Sequence, residues 1–208
     1  MTERLVERTL RAFSDDLASS AAVPGGGSAA AYAGALGAAL TAMVGRIAER
    51  KETSEATTAL IADADNLRTD FIRLVDDDSA AYARVSEATK MPKASDDEKR
   101  ERAARLQAAL LAASRVPLEV AKTSRRLLDL CERTVERAAT ATVSDIGVGA
   151  FLAETALRGA ALNVMINLAS IKDAAQVKAL SEDLDRAVDG ADAQRKRITD
   201  FVESRIAR

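Results

Sequence analysis

The sequence predicts an all-α protein, a bundle of long helices forming one domain over residues 1–208, and three observations carry that expectation. Hydrophobic residues make up 48% of the chain but aromatics only 3%, with no tryptophan, so the core must be built from Ala, Leu, Val and Ile. Three prolines and ten glycines leave long uninterrupted stretches of helix-forming residues. Within those stretches apolar residues return at three- and four-residue steps, the period of a helix face. A chain of this length can bury a substantial core.

Thr2 is placed to cap a first helix whose apolar face carries Leu5, Leu10, Phe13 and Leu17, ending near Ser19-Ser20. Pro24-Gly25-Gly26-Gly27-Ser28 then forms a turn, with Ser28 positioned to cap the next helix. That helix, residues 29–45, is almost wholly Ala, Gly and other apolar residues. Its large apolar residues are too few for a membrane span, and Ala30, Gly34 and Ala38 at four-residue spacing suit a helix crossed closely by neighbours. Thr53 or Ser54 opens a long helix to about Lys90, with the seam Leu60, Ala64, Leu67, Phe71, Leu74, Asp78, Tyr82 and Val85.

Met91-Pro92-Lys93 ends that helix, and Ser95 with Glu98 makes a capping box for its successor. This fourth helix should kink or restart at Pro117 before continuing through Leu127, Leu128 and Val135. Thr142 with Asp145 reads as another capping box, opening a helix from Ile146 to about Ser170 that is apolar nearly all round and therefore central. Beyond Lys172-Asp173, a last helix carries Val177, Leu180, Leu184, Val188, Ile198, Phe201 and Val202.

Composition also excludes chemistry. Histidine is absent, so there is no Ser-His or Cys-His nucleophile and no imidazole metal ligand. A net charge of −2 gives no general attraction for nucleic acid or an anionic membrane. The single cysteine, Cys131, cannot form an internal disulfide, and no secretory leader pattern opens the sequence, which together point to the cytoplasm. Proton transfer must fall to carboxylates, amides, Lys, Arg or hydroxyls.

Polar residues in apolar surroundings mark the candidates. Asp78 is a lone carboxylate on an apolar seam, where desolvation raises proton affinity towards the range of a general acid or base; an arginine from another helix is the alternative partner. Asn163 and Asn167 lie one helical turn apart on the nearly all-apolar helix, and their amides must bridge helices or meet a polar ligand edge. The free N–H groups after the triple glycine form a cradle for an anion; the turn has neither the lysine of a phosphate-binding loop nor the glycine spacing of a dinucleotide fingerprint.

The ordered set Pro24-Gly-Gly-Gly-Ser28, Leu74-Val-Asp-Asp-Asp78 running to Tyr82, Met91-Pro92-Lys93, Val116-Pro117-Leu118, Ser144-Asp145-Ile146-Gly147-Val148, and Asn163-Val-Met-Ile-Asn167-Leu168 with Ile171-Lys172-Asp173 resembles the cyclodeaminase/cyclohydrolase family of folate enzymes. The resemblance spans nearly the whole chain. It implies a dimeric helical bundle, a tetrahydrofolate derivative as substrate, and no metal or other cofactor. Asp78, Lys93 and Asp145 would then be catalytic. Gly25, Gly26, Gly27, Ser28, Asp76, Asn163, Asn167, Lys172 and Asp173 would contact or order the substrate. Two reactions are implied: hydrolysis of 5,10-methenyltetrahydrofolate to the 10-formyl product, or cyclisation of formimidoyltetrahydrofolate with loss of ammonia. With no formiminotransferase segment in these residues, hydrolysis is the first expectation; a non-catalytic folate- or partner-binding dimer is the contrasting one. Where the family usually carries Gly-Asn before Ser-Asp, this chain reads Ala138-Ala139.

Overall fold

A computed structural model describes residues 4–207, and the regular elements among them are all helical. They are α1 (Leu10–Leu17), α2 (Gly26–Glu49), α3 (Glu55–Lys90), α4 (Asp96–Val135), α5 (Val143–Leu168), α6 (Ala174–Val188) and α7 (Ala191–Ile206), with single 3-10 turns at Leu5–Glu7 and Thr140–Thr142. Helices α2 to α5 form a four-helix bundle in which each runs antiparallel to the next and α5 closes the ring against α2. Helices α6 and α7 cover α4 and α5 from outside, burying Leu180, Leu184, Ile198 and Val202.

Small residues set the spacing of the bundle. A β-carbon on Gly34 would lie 2.6 Å from Cζ of Phe71, so the phenyl ring on α3 occupies the notch left by that glycine. A β-carbon on Gly37 would lie 3.0 Å from the Gly149 carbonyl, which places the backbones of α2 and α5 almost in contact. Helix α2 is long and apolar enough to cross a membrane, and here most of it is buried among α3, α4 and α5.

Several boundaries differ from the sequence expectations. Thr2 lies outside the described residues; the N-terminal segment is a 3-10 turn followed by α1, capped by Thr9, whose hydroxyl accepts from the Ala12 N–H at 3.1 Å. Pro117 interrupts nothing: α4 is continuous through it, with Pro117 buried. The expected last helix is two helices, because Gly190 adopts φ +66°, a left-handed conformation that ends α6 and starts α7. Thr142 makes no side-chain cap; its hydroxyl turns back to the Ala139 carbonyl instead. The Ser54 and Ser95 caps form as the sequence predicts, the latter as a full capping box with Glu98.

Candidate functional site

The α3 seam explains where a cleft can form. Leu60, Leu67, Phe71 and Leu74 are buried against the bundle, but α2 begins at Gly26, level with Asp78. Beyond that level α3 has lost its neighbour, so Tyr82 is half exposed and Val85 only partly covered. The space left is a cleft of about 260 Å³. Its walls are the glycine turn (Gly25, Gly26, Gly27) with Val23, the α3 residues Asp78, Tyr82 and Val85, and Asn163 and Asn167 of α5.

Asp78 is seated against the start of α2. A β-carbon on Gly27 would lie 2.6 Å from the Asp78 carboxyl carbon, so this close approach requires glycine there. The buried Ser28 hydroxyl lies 3.0 Å from Asp78 Oδ2, 3.0 Å from the Val75 carbonyl and 3.2 Å from Ser79 Oγ. Ser28 is therefore not the helix cap expected of it. Gly25 occupies the cap position, and Ser28 turns its side chain across to α3. Burial pushes the Asp78 carboxyl above the ordinary carboxylate range, with hydrogen bonds from the Ser28 side chain and backbone opposing it in part.

The two asparagines present acceptors. Asn163 Nδ2 donates to the Gly159 carbonyl at 2.8 Å, and Asn167 Nδ2 donates across to the Ala113 carbonyl of α4 at 3.1 Å. Of an amide's two ends only the NH₂ can donate to a carbonyl, so each amide oxygen is the free end, and among the described residues neither has a hydrogen-bond partner. The cleft lining thus offers a carboxyl, two amide oxygens, a phenol and the glycine backbone that starts α2, and contains no lysine or arginine.

The other expected site residues lie elsewhere in the chain. Asp76 accepts from the Leu5 N–H at 2.8 Å and Arg4 Nε at 2.9 Å, which makes it the anchor of the N-terminal segment and takes it away from the cleft. Lys93 is exposed in the α3–α4 loop, past the end of α3 and about 18 Å or more along that axis from Asp78. Asp145 sits in the first turn of α5, about 27 Å along the helix from Asn163. Lys172 is exposed, its N–H held by Gln107 Oε1 at 2.8 Å, and Asp173 caps α6 through the Ala175 and Gln176 N–H groups. The Ala138-Ala139 pair precedes the same distal end of α5, with Ala138 packed in the core.

Sequence reasoning placed Tyr82 on the seam without making it a site residue, and gave Ser79 no role. Their positions beside and one turn beyond Asp78 on the same helix were the available signal.

The profile of the Formiminotransferase-cyclodeaminase family matches residues 9–186. A methenyltetrahydrofolate cyclohydrolase of Methylorubrum extorquens is 37% identical over 95% of this chain and 97% of its own length. A formimidoyltransferase-cyclodeaminase of Mus musculus is 35% identical over 82% of this chain, which corresponds to only 32% of that longer protein. The crystal structure of a formiminotetrahydrofolate cyclodeaminase from Thermotoga maritima superposes with a TM-score of 0.84 at 26% identity, covering 95% of this chain and 97% of that one.

Proposed function

The chain belongs to the formiminotransferase-cyclodeaminase family, and from that premise we propose that it hydrolyses 5,10-methenyltetrahydrofolate to 10-formyltetrahydrofolate by acid/base catalysis. The observation that carries the choice is the match, at 37% identity and nearly end to end, to a cyclohydrolase. The cleft supports it chemically. The methenyl carbon of the substrate is part of an amidinium-like cation, and a lining with one carboxyl and no basic side chain suits a positive ring.

In the proposed reaction a water oxygen adds to the methenyl carbon while Asp78 takes one proton from that water. The carbon–N5 bond then breaks, Asp78 returns its proton to N5, and the remaining hydroxyl proton leaves to solvent as the formyl carbonyl forms. One proton is released overall, and only side chains and water take part. A carboxyl whose proton affinity is raised by burial is matched to both halves of this cycle. The Asn163 and Asn167 oxygens would accept from the N–H edge of the pterin, and Tyr82 would stack against its ring. Helix-start N–H groups at Gly26 and Gly27 would face the substrate's oxygen or carboxylate atoms.

The second reaction has support of its own in the nearly end-to-end superposition on a formiminotetrahydrofolate cyclodeaminase. Loss of methenyl absorbance in the near ultraviolet on adding enzyme supports hydrolysis. Enzyme-dependent ammonia release from formimidoyltetrahydrofolate would replace it with cyclodeamination. Folate binding with neither activity would leave a binding protein.

The active form is proposed to be a cytoplasmic homodimer. Along adjacent α2 and α5, Leu36, Leu40, Met43, Val148, Leu162 and Ile166 form an uncharged stripe, with Leu162 67% and Ile166 71% exposed. An uncharged apolar face is complementary to itself, which is what a two-fold pairing of identical chains requires.

A further inference from the structure

Ser28 has one proton and three oxygen neighbours, and that mismatch is informative. Its Oγ is within hydrogen-bond distance of the Val75 carbonyl, Asp78 Oδ2 and Ser79 Oγ, yet it can donate to only one of them at a time. The Val75 carbonyl can only accept. Asp78 can accept when ionised and donate when neutral, and Ser79 can do either. Two arrangements keep Asp78 hydrogen-bonded. With Asp78 neutral, its O–H donates to Ser28 Oγ and Ser28 donates to Val75. With Asp78 ionised, Ser28 donates to Oδ2 and itself accepts from Ser79.

We infer that Ser28 is a positioning residue that keeps Asp78 hydrogen-bonded in both protonation states by rotating one hydroxyl between the Val75 carbonyl and the carboxyl. Ser28 neither gains nor loses a proton; what moves is the direction of its O–H bond. The Ser28 backbone N–H is a fixed donor and favours the carboxylate, so a partner able to serve the acid as well has to come from the side chain. A hydroxyl supports both, and the absence of a β-carbon at Gly27 lets the carboxyl come close enough to use it. The groups facing Asp78 add no competing charge: α2 contributes Gly27 and Ser28, α5 contributes Asn163 and Asn167, the segment before α2 contributes Val23, and the other titratable group in the lining is the Tyr82 phenol on α3 itself.

This assignment deepens the acid/base role proposed for Asp78 and is tested so that the two can fail separately. In protein carrying ¹³C-carboxyl aspartate, the Asp78 signal is identified by its loss in Asp78→Asn and titrated by NMR. Ser28→Ala removes a charge-assisted bond from the ionised state and a weaker neutral one from the acid, so the midpoint should rise, by about tenfold in proton affinity. Ser28→Thr should restore it. Ser79→Ala, at a half-buried position, should move the midpoint in the same direction by less. In turnover, the acid limb of the kcat profile should follow the titration while KM stays within about twofold.

A folded Ser28→Ala protein with the wild-type titration would overturn the assignment. If Ser28→Ala does not fold, an unmoved titration in Ser79→Ala overturns it instead. If the titrations shift but the wild-type protein converts neither folate, the hydroxyl's role stands and the enzymatic function falls.

Discussion

The carboxyl carbon of Asp78 lies 2.6 Å from the point a β-carbon on Gly27 would occupy, while the same construction on neighbouring Gly26 meets nothing nearer than Asn163 Nδ2 at 3.6 Å. Adjacent glycines in one turn therefore have opposite tolerances. Gly27→Ala should displace the carboxyl and lower kcat at least about a hundredfold, the scale of one general acid/base. Gly26→Ala should stay within a few-fold of wild type. Steady-state assays with circular dichroism as the folding control check the pair, and equal losses would contradict the geometry.

Asp78→Asn separates catalysis from stability. Burial raises the folded-state pKa of Asp78 above its unfolded value near 3.8, so between those two values the folded protein holds more protons than the unfolded one. Stability from this group is then lost as pH rises through that window. Replacing the charge with an amide should raise the melting temperature at pH 7, on the order of a few degrees, while turnover falls by roughly 10²–10⁴. Below the unfolded pKa the difference in melting temperature should vanish. A neutral-pH melting temperature lower than wild type would argue against a costly buried charge.

Tyr82 is an aromatic residue in the cleft lining and is 48% exposed, with no ring partner of its own among the described residues. If it stacks on the folate, Tyr82→Ala should weaken binding roughly three- to tenfold and Tyr82→Phe should leave it nearly unchanged. Calorimetry with tetrahydrofolate measures both. An equal loss in the two variants would assign the effect to the phenol oxygen instead.

Much of this architecture was legible in the sequence because helix periodicity is local. The seam from Leu60 to Val85, the Ser54 and Ser95 caps and the apolar α5 all follow from residues close together in the chain. The missed break at Gly190 was local too, but a lone glycine inside an amphipathic pattern does not reveal its φ. Site assembly was legible only in part, since it depends on register between helices. Asp78, the glycine turn, Asn163 and Asn167 meet because α2 starts level with Asp78 and runs antiparallel to α5. Lys93 and Asp145 were named from motifs without that register; Lys93 lies in the loop past the end of α3 and Asp145 at the far end of α5 from the cleft.

A charge on the stripe should break the proposed pairing without unfolding the protomer. Leu162 is 67% exposed, so Leu162→Glu removes little packing within one chain, but in a two-fold interface it would place two carboxylates in apolar contact. Sedimentation should show a monomer with unchanged helicity. A Leu162→Glu dimer as tight as wild type would move the interface elsewhere.

Cys131 is fully buried at the α2–α4–α5 crossing, 3.3 Å from Thr41 Oγ1, and burial pushes its thiol up to about 12. At pH 8 it should resist aromatic disulfide reagents in the folded protein and react promptly in denaturant. Fast labelling of the native state would mean that this crossing opens.

The close approach of the Gly37 and Gly149 backbones brings α2 and α5 together about 16 Å along α2 from the lip of the cleft at Gly26. Any added bulk there would push the two helices apart, so the width of the cleft that both of them line is set in part at a place no ligand reaches.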